Sequence, residues 1–135
     1  MFRVSAIVVD TSIWIDFLRG EPLPELEHAL ERGYVLLAPV VCAELLSSPL
    51  PARKRAELTS MLQDLPLHST PFEHWVRVGA LRAALLRAGV SVSTPDAHVA
   101  QCAIDCRGLL WSRDKIFGST AKHTELRLFV GSARK

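Results

Sequence analysis

Cysteine is scarce: Cys42, Cys102 and Cys106 are odd in number and sit in apolar segments, which suits a reducing compartment better than a disulfide framework. Long apolar runs are missing too. Every purely apolar stretch falls far short of the ~20 residues a membrane helix needs, so no membrane association is expected. The N-terminus lacks the charged start, apolar core and small-residue cleavage site of a secretory signal, and the expected location is the cytoplasm. Nor is there an excess of one charge. With 16 basic and 14 acidic side chains the formal charge is +2, so any contact with nucleic acid has to come from local placement rather than bulk electrostatics. Internal repeats, low-complexity segments and linkers are likewise absent.

What is present is a globular composition. Apolar residues make up 49% and charged residues 22%, which a disordered chain does not show. A chain of 135 residues fits one domain, 1–135, and buries roughly two-thirds of its unfolded surface. Loose chain is expected only at Gly131 to Lys135.

Periodicity predicts strands alternating with helices. The strands are Val4 to Val9, Val35 to Ala38, a weak one at Pro66 to His68, Gly108 to Ser112, and Leu126 to Val130. The helices are Ser12 to Arg19, Leu23 to Arg32, Pro39 to Ser47, Arg53 to Leu65, Pro71 to Ala88 and Pro95 to Cys106, with "SSPLPARK" (47–54) as a turn. The strands show no polar alternation, as expected of a parallel sheet covered on both faces. Pro39 suits a first helical turn, and in "STPDA" Thr94 reads as an N-cap with Pro95 behind it. Ile13, Trp14, Phe17 and Leu18 have the helical spacing of core residues.

Four acids stand out from this pattern. Asp10 ends the apolar run "AIVV", where an ionised carboxylate is costly unless it has a partner or a task. Glu44 is the sole polar side chain in "VLLAPVVCAELL" (35–46) and is predicted to point into a partly enclosed site. Asp96 falls in a first helical turn, where the helix dipole favours a carboxylate. Asp114 follows "GLLWS" and suits a turn. In a parallel α/β sheet, strand carboxyl ends and the starts of neighbouring helices share one edge, so all four belong where such folds bind ligands. Carboxylates gathered there repel one another by about 4 kcal/mol per pair at ~4 Å in an effective dielectric near 20. A hard cation, Mg²⁺ or Mn²⁺, relieves that repulsion and suits oxygen-only ligands and phosphodiester hydrolysis. Asp16, by contrast, reads as an ordinary helix surface acid.

His98, Cys102 and Cys106 recur every four residues, but positions eight apart on a helix lie ~12 Å apart along the axis and cannot share one ion. Buried cysteines with a packed or partly exposed His98 are the expectation there.

The stretches "VVDTSIWIDFLRG", "APVVCAELL", "TPDAHVAQCA" and "LLWSRDKIF" resemble the PIN-domain ribonucleases, in particular VapC-type toxins of type II toxin–antitoxin systems. The resemblance covers nearly the whole chain. It implies a three-layer PIN-like α/β fold with a central, mainly parallel, roughly five-stranded sheet, and a metal-dependent endoribonuclease acting as a toxin. Asp10, Glu44, Asp96 and Asp114 match the family's acidic quartet, with Asp10 and Asp96 as the firmest metal ligands and Glu44 and Asp114 acting directly or through water. Ser112, Thr11 and Ser12 match its supporting hydroxyls. Ile116 stands where the family often has a further acid, which favours one well-held ion over two. Arg113 and Lys115 are candidates for RNA phosphates, as is Arg53–Lys54–Arg55. The resemblance also implies transfer or ribosomal RNA as substrate, a homodimer and a VapB-like antitoxin. Two other classes compete: a catalytically silent PIN-like module that binds RNA or protein, and an aspartyl-phosphate phosphatase, for which Ser12 stands where a second aspartate is usual.

Overall fold

The β-branched run Ile7, Val8, Val9 forms the central strand of a parallel sheet. In a computed structural model of the chain, which describes residues 5–131, β1 (Ile7–Val9) lies between β2 (Val35–Leu36) and β3 (Leu109–Trp111), and all three strands run parallel. Ile7 stands opposite both Val35 and Leu109, so one register carries the sheet. Burial of all three β1 side chains explains why the strand shows no polar alternation. Seven helices accompany the strands among the described residues: α1 (Thr11–Leu18), α2 (Pro24–Arg32), α3 (Pro39–Leu46), α4 (Ala52–Gln63), α5 (Phe72–Arg87), α6 (Thr94–Asp105) and α7 (Ile116–Lys122). α6 packs on both β1 and β3, α5 packs on α6, and α1 packs on α3. None of these helices is long and apolar enough to cross a membrane.

The sheet is smaller than expected. It has three strands, and the two outer segments each contribute a single parallel bridge, Leu37 to Leu67 and Leu110 to Leu128. At the first, Leu37 N–H donates to Pro66 O at 2.8 Å and His68 N–H returns to Leu37 O at 2.9 Å. Pro66 has no N–H to extend that ladder, and the chain turns into α3 at Pro39 one residue after Ala38. Leu67, Leu128 and Val130 are exposed, so these segments lack the two covered faces that make a full parallel strand favourable. Val4 of the predicted first strand, and residues 132–135 of the predicted loose end, lie outside the described residues.

Three local details also depart from expectation. α7 was not predicted: "IFGSTAK" is too rich in glycine and hydroxyl residues to read as a helix, yet Phe117 and Thr120, three apart, are its buried face. Ser93, not Thr94, caps α6, its hydroxyl accepting from Asp96 N–H at 3.2 Å, and Thr94 and Pro95 are the first helical residues. Ile13 and Trp14 are core as predicted, whereas Phe17 is half-buried and Leu18 exposed. The turn from α6 into β3 depends on Gly108, where a Cβ would collide with the Ala6 carbonyl oxygen.

Candidate active site

Asp10 is held where β1 becomes α1. Its backbone N–H donates to Trp111 O at 2.9 Å, which extends the β1–β3 ladder by one residue, and its carbonyl accepts the first helical bonds of α1. The side chain is 8% exposed. Ser112 Oγ donates to Asp10 Oδ2 at 2.7 Å and Ser12 Oγ to the same oxygen at 3.2 Å. Two hydroxyls thus orient a carboxylate that is almost out of water.

The same hydroxyls organise the loop after β3. Ser112 Oγ accepts from Asp114 N–H at 3.0 Å, and Ser12 Oγ accepts from Arg113 N–H at 3.1 Å. Asp114 Oδ1 in turn accepts from Ile116 N–H at 3.0 Å and starts α7, so the position that could have held a further acid opens a helix instead. Asp96 sits in the first turn of α6 and is half-buried. Burial pushes its carboxyl above the ordinary range, the Ser93 hydroxyl works against this, and the negative charges of Asp10 and Asp114 push the same way as burial. Asp96 is therefore near enough to Asp10 and Asp114, at the carboxyl edge of the sheet, to feel both charges.

Glu44 differs from its expected setting. It is exposed rather than partly enclosed, and it is the sixth residue of α3 rather than part of its first turn. It joins the site through Thr11, whose hydroxyl donates to Glu44 Oε1 at 2.8 Å. Thr11 and Ser12 thus face two acids, Glu44 and Asp10. Neither is the N-cap of α1, which is Asp10, and no side chain caps that helix.

Of the basic candidates, Arg113 is engaged within the chain. Its guanidinium pairs with Asp16 through Nε and lies 3.7 Å from Glu21 Oε2. Asp16 is accordingly no ordinary surface acid but the anchor of the Asp114 loop. Lys115 is exposed. Arg55 donates to Leu46 O and to Ser48 O (2.9 Å), closing the turn between α3 and α4, while Arg53 pairs with Glu57 at 3.3 Å.

The acidic donors fit a hard cation. All are carboxylate oxygens, and the charges of Asp10 and Asp114 add to the burial that raises the Asp96 carboxyl. They do not converge as tightly as a closed cage: among the described residues, the group of three metal-ligating side chains whose donor atoms lie within 4.8 Å of one another is His68, His74 and Cys102, elsewhere in the fold. A loose set of carboxylate donors suits an ion that keeps several waters.

That second cluster escaped the sequence reading. His74 and His98 are both buried, with His98 Nδ1 and His74 Nε2 2.8 Å apart, and Trp75 stacks on the His98 ring. His74 Nδ1 lies 2.9 Å from Asp105 Oδ2, and Arg77 and Gln101 also bind Asp105. Cys102 is buried as expected, whereas Cys42 and Cys106 are half-buried. The available signal was His74 on the apolar face of α5, four and eleven residues from the buried Val78 and Leu85.

Sheet, helices and acidic edge define an α/β domain with a hydroxyl-braced carboxylate at the carboxyl end of its central strand. A profile of the PIN domain family matches residues 7–123, and the chain belongs to that family. A comparison with curated protein sequences finds no match. Solved structures with the same fold include VapBC2 from Rickettsia felis bound to a promoter DNA fragment (18% identity, TM-score 0.75, covering 92% of this chain and 97% of that one). DNA-bound VapBC from Salmonella typhimurium is similar at 18% identity and TM-score 0.70, covering 93% and 98%. A toxin–antitoxin complex from Klebsiella pneumoniae is 20% identical with TM-score 0.64, covering 82% and 88%.

Proposed function

We propose that the protein is a Mg²⁺- or Mn²⁺-dependent endoribonuclease of the VapC type, the toxin of a cytoplasmic toxin–antitoxin pair, built as one domain over 1–135. The observation that carries this reading is the Asp10 carboxylate, which stands almost out of water at the carboxyl end of β1 and is held by the Ser12 and Ser112 hydroxyls. Asp10 and Asp96 would hold the ion, with Glu44 and Asp114 acting directly or through water. The ion would supply charge neutralisation at the phosphate and a more acidic water. Ser12 and Ser112 would keep Asp10 aimed, and Thr11 would steady Glu44 through its hydroxyl. Lys115, which is exposed, would meet a phosphate directly; Arg113 would do so only by exchanging its pairing with Asp16 and Glu21. Transfer or ribosomal RNA is the substrate class that goes with this reading.

A VapB-like antitoxin and a homodimer belong to the same proposal. Solved structures of this fold are VapBC and toxin–antitoxin complexes, and Phe72, Val76 and Leu86 form an exposed apolar row on α5 that suits a protein partner.

The test is cleavage of a panel of structured RNAs by protein freed of any bound inhibitor. Cutting is expected with Mg²⁺ or Mn²⁺, none with EDTA, and none by Asp10→Asn with unchanged circular dichroism. Intact RNA at every metal tested would sink the nuclease reading and leave a silent binding module.

A further inference from the structure

We propose that His68, His74 and Cys102, with Asp105 beside them, form a second metal site, one for a borderline-soft divalent ion of the Zn²⁺ class. One donor atom from each of the three lies within 4.8 Å of the others. They come from three separate segments: His68 from the bridge segment beside Leu37, His74 from α5 and Cys102 from α6. His74 and Cys102 are fully buried and the His68 side chain is 13% exposed, so the site is enclosed with one wall near solvent. Asp105 Oδ2 lies 3.7 Å from His68 Nε2 and 2.9 Å from His74 Nδ1, a carboxylate beside the three donors that could ligate as a fourth or hold the histidines in place. Bonds of ~2.0 to 2.3 Å in a tetrahedron put donors about 3.3 to 3.8 Å apart, so His68 and Asp105 at 3.7 Å stand near ligating separation, while Cys102 and His74 would close in from within 4.8 Å, His74 exchanging one of its two ring hydrogen bonds for the ion.

The chemistry separates this site from the acidic cleft. Thiolate and imidazole select Zn²⁺-like ions, whereas the cleft offers only oxygen. Without an ion, burial and the nearby Asp105 and Cys106 push the Cys102 thiol up to about 12, so it stays protonated. On binding, a sulfur–metal bond replaces S–H, the proton leaves to solvent, and the histidines ligate as neutral rings. Metal-free, the residues fall back on the hydrogen-bonded chain from Asp105 through His74 to His98, whose Nε2 accepts from Val40 N–H at 3.4 Å. The ion would cross-link α5, α6 and the 66–68 segment.

Chelator-treated protein titrated with Co²⁺ tests the site. A sulfur-to-cobalt charge-transfer band with tetrahedral visible bands should saturate at one ion per chain, be bleached by Zn²⁺ and not by excess Mg²⁺, and persist in Asp10→Asn. Cys102→Ser should lose the band. His68→Gln, at the solvent wall, should keep the fold and weaken Co²⁺ by about 100-fold or more, beyond what loss of an outer-shell partner costs. No charge-transfer band with Co²⁺ in excess, a band that survives Cys102→Ser, or unchanged affinity in folded His68→Gln would each overturn the assignment. Because the readout is spectroscopic, the outcome is independent of whether the cleft cuts RNA.

Discussion

At the scale of residues, one hydroxyl links two acids. Ser112 Oγ donates to Asp10 and accepts from Asp114 N–H, so it sets both the aim of a buried carboxylate and the start of the next loop. Ser112→Ala should cost about 1.5 to 3 kcal/mol in urea unfolding, the range for hydrogen bonds to charged groups, and about 10- to 100-fold in RNA cleavage, as for outer partners of metal ligands. Ser112→Thr, which keeps the hydroxyl, should recover most of both; an alanine variant as active as wild type would show that Asp10 needs no brace. Asp96 carries the opposite balance. Its carboxyl is raised in the folded chain by burial and by like charges, so the contribution of its neutral form is complete below the unfolded value and is lost as pH rises through the folded one. At neutral pH its charge therefore opposes folding. Asp96→Asn, compared with wild type in EDTA, should have a higher urea midpoint at pH 7, with the difference shrinking toward the ordinary carboxylate range, while RNA cleavage with Mg²⁺ disappears. A lower midpoint at pH 7 would mean that the carboxylate is a net structural asset.

At the scale of elements, the start of α6 decides where Asp96 stands. Ser93 accepts from Asp96 N–H, whereas Thr94 is already helical, so Ser93→Ala should lower stability by about 1 kcal/mol and Thr94→Ala should do almost nothing. Equal effects would mean that the cap is shared. The neighbouring serine and threonine are equally good caps by residue type, and only the backbone geometry separates them. The same limit explains which elements were legible. The six predicted helices occur within a residue or two of their expected ends, because their apolar spacing and prolines are local signals. The outer strands shrank to single bridges, because covering both faces of a strand is settled by tertiary packing that no local run of Leu or Val reveals. Asp10, Asp96 and Asp114 could be gathered from topology alone. Glu44 came out exposed because a lone acid in an apolar helix says that one face is different, not how deep it lies. The histidine cluster stayed invisible, since His68, His74 and His98 lie on three segments whose meeting depends on how α5 docks on α6.

At the scale of the molecule, acid should loosen the fold earlier than its carboxylates alone would dictate. His98 is buried, and burial, followed by the charges of His74 and His68, brings its pKa down from 6.5 to about 4. His68 is lowered as well, first by burial and then by His74, with Asp105 working against both. For a histidine with a depressed folded value, the unfolded chain takes up the proton first. Stability is then full above about pH 6.5 and falls as pH drops toward 4, by about 3 kcal/mol for His98 at roughly 1.4 kcal/mol per pH unit. Asp105 extends the decline. Burial alone would raise it, but hydrogen bonds from Arg77, His74 and Gln101 outweigh that and hold it well below the usual carboxylate range, so its contribution is lost only at still lower pH. The expected curve for chelated protein is therefore a fall in urea unfolding free energy that begins below pH 6.5 and steepens below 4. His98→Gln should be less stable at pH 7, since His74 loses the hydrogen bond it shares with the His98 ring, yet its stability should change much less between pH 6.5 and 4.5. A wild-type curve that stays flat down to pH 4.5, or a His98→Gln curve that falls as steeply as wild type, would show that the buried histidine chain does not set the acid limit of the fold.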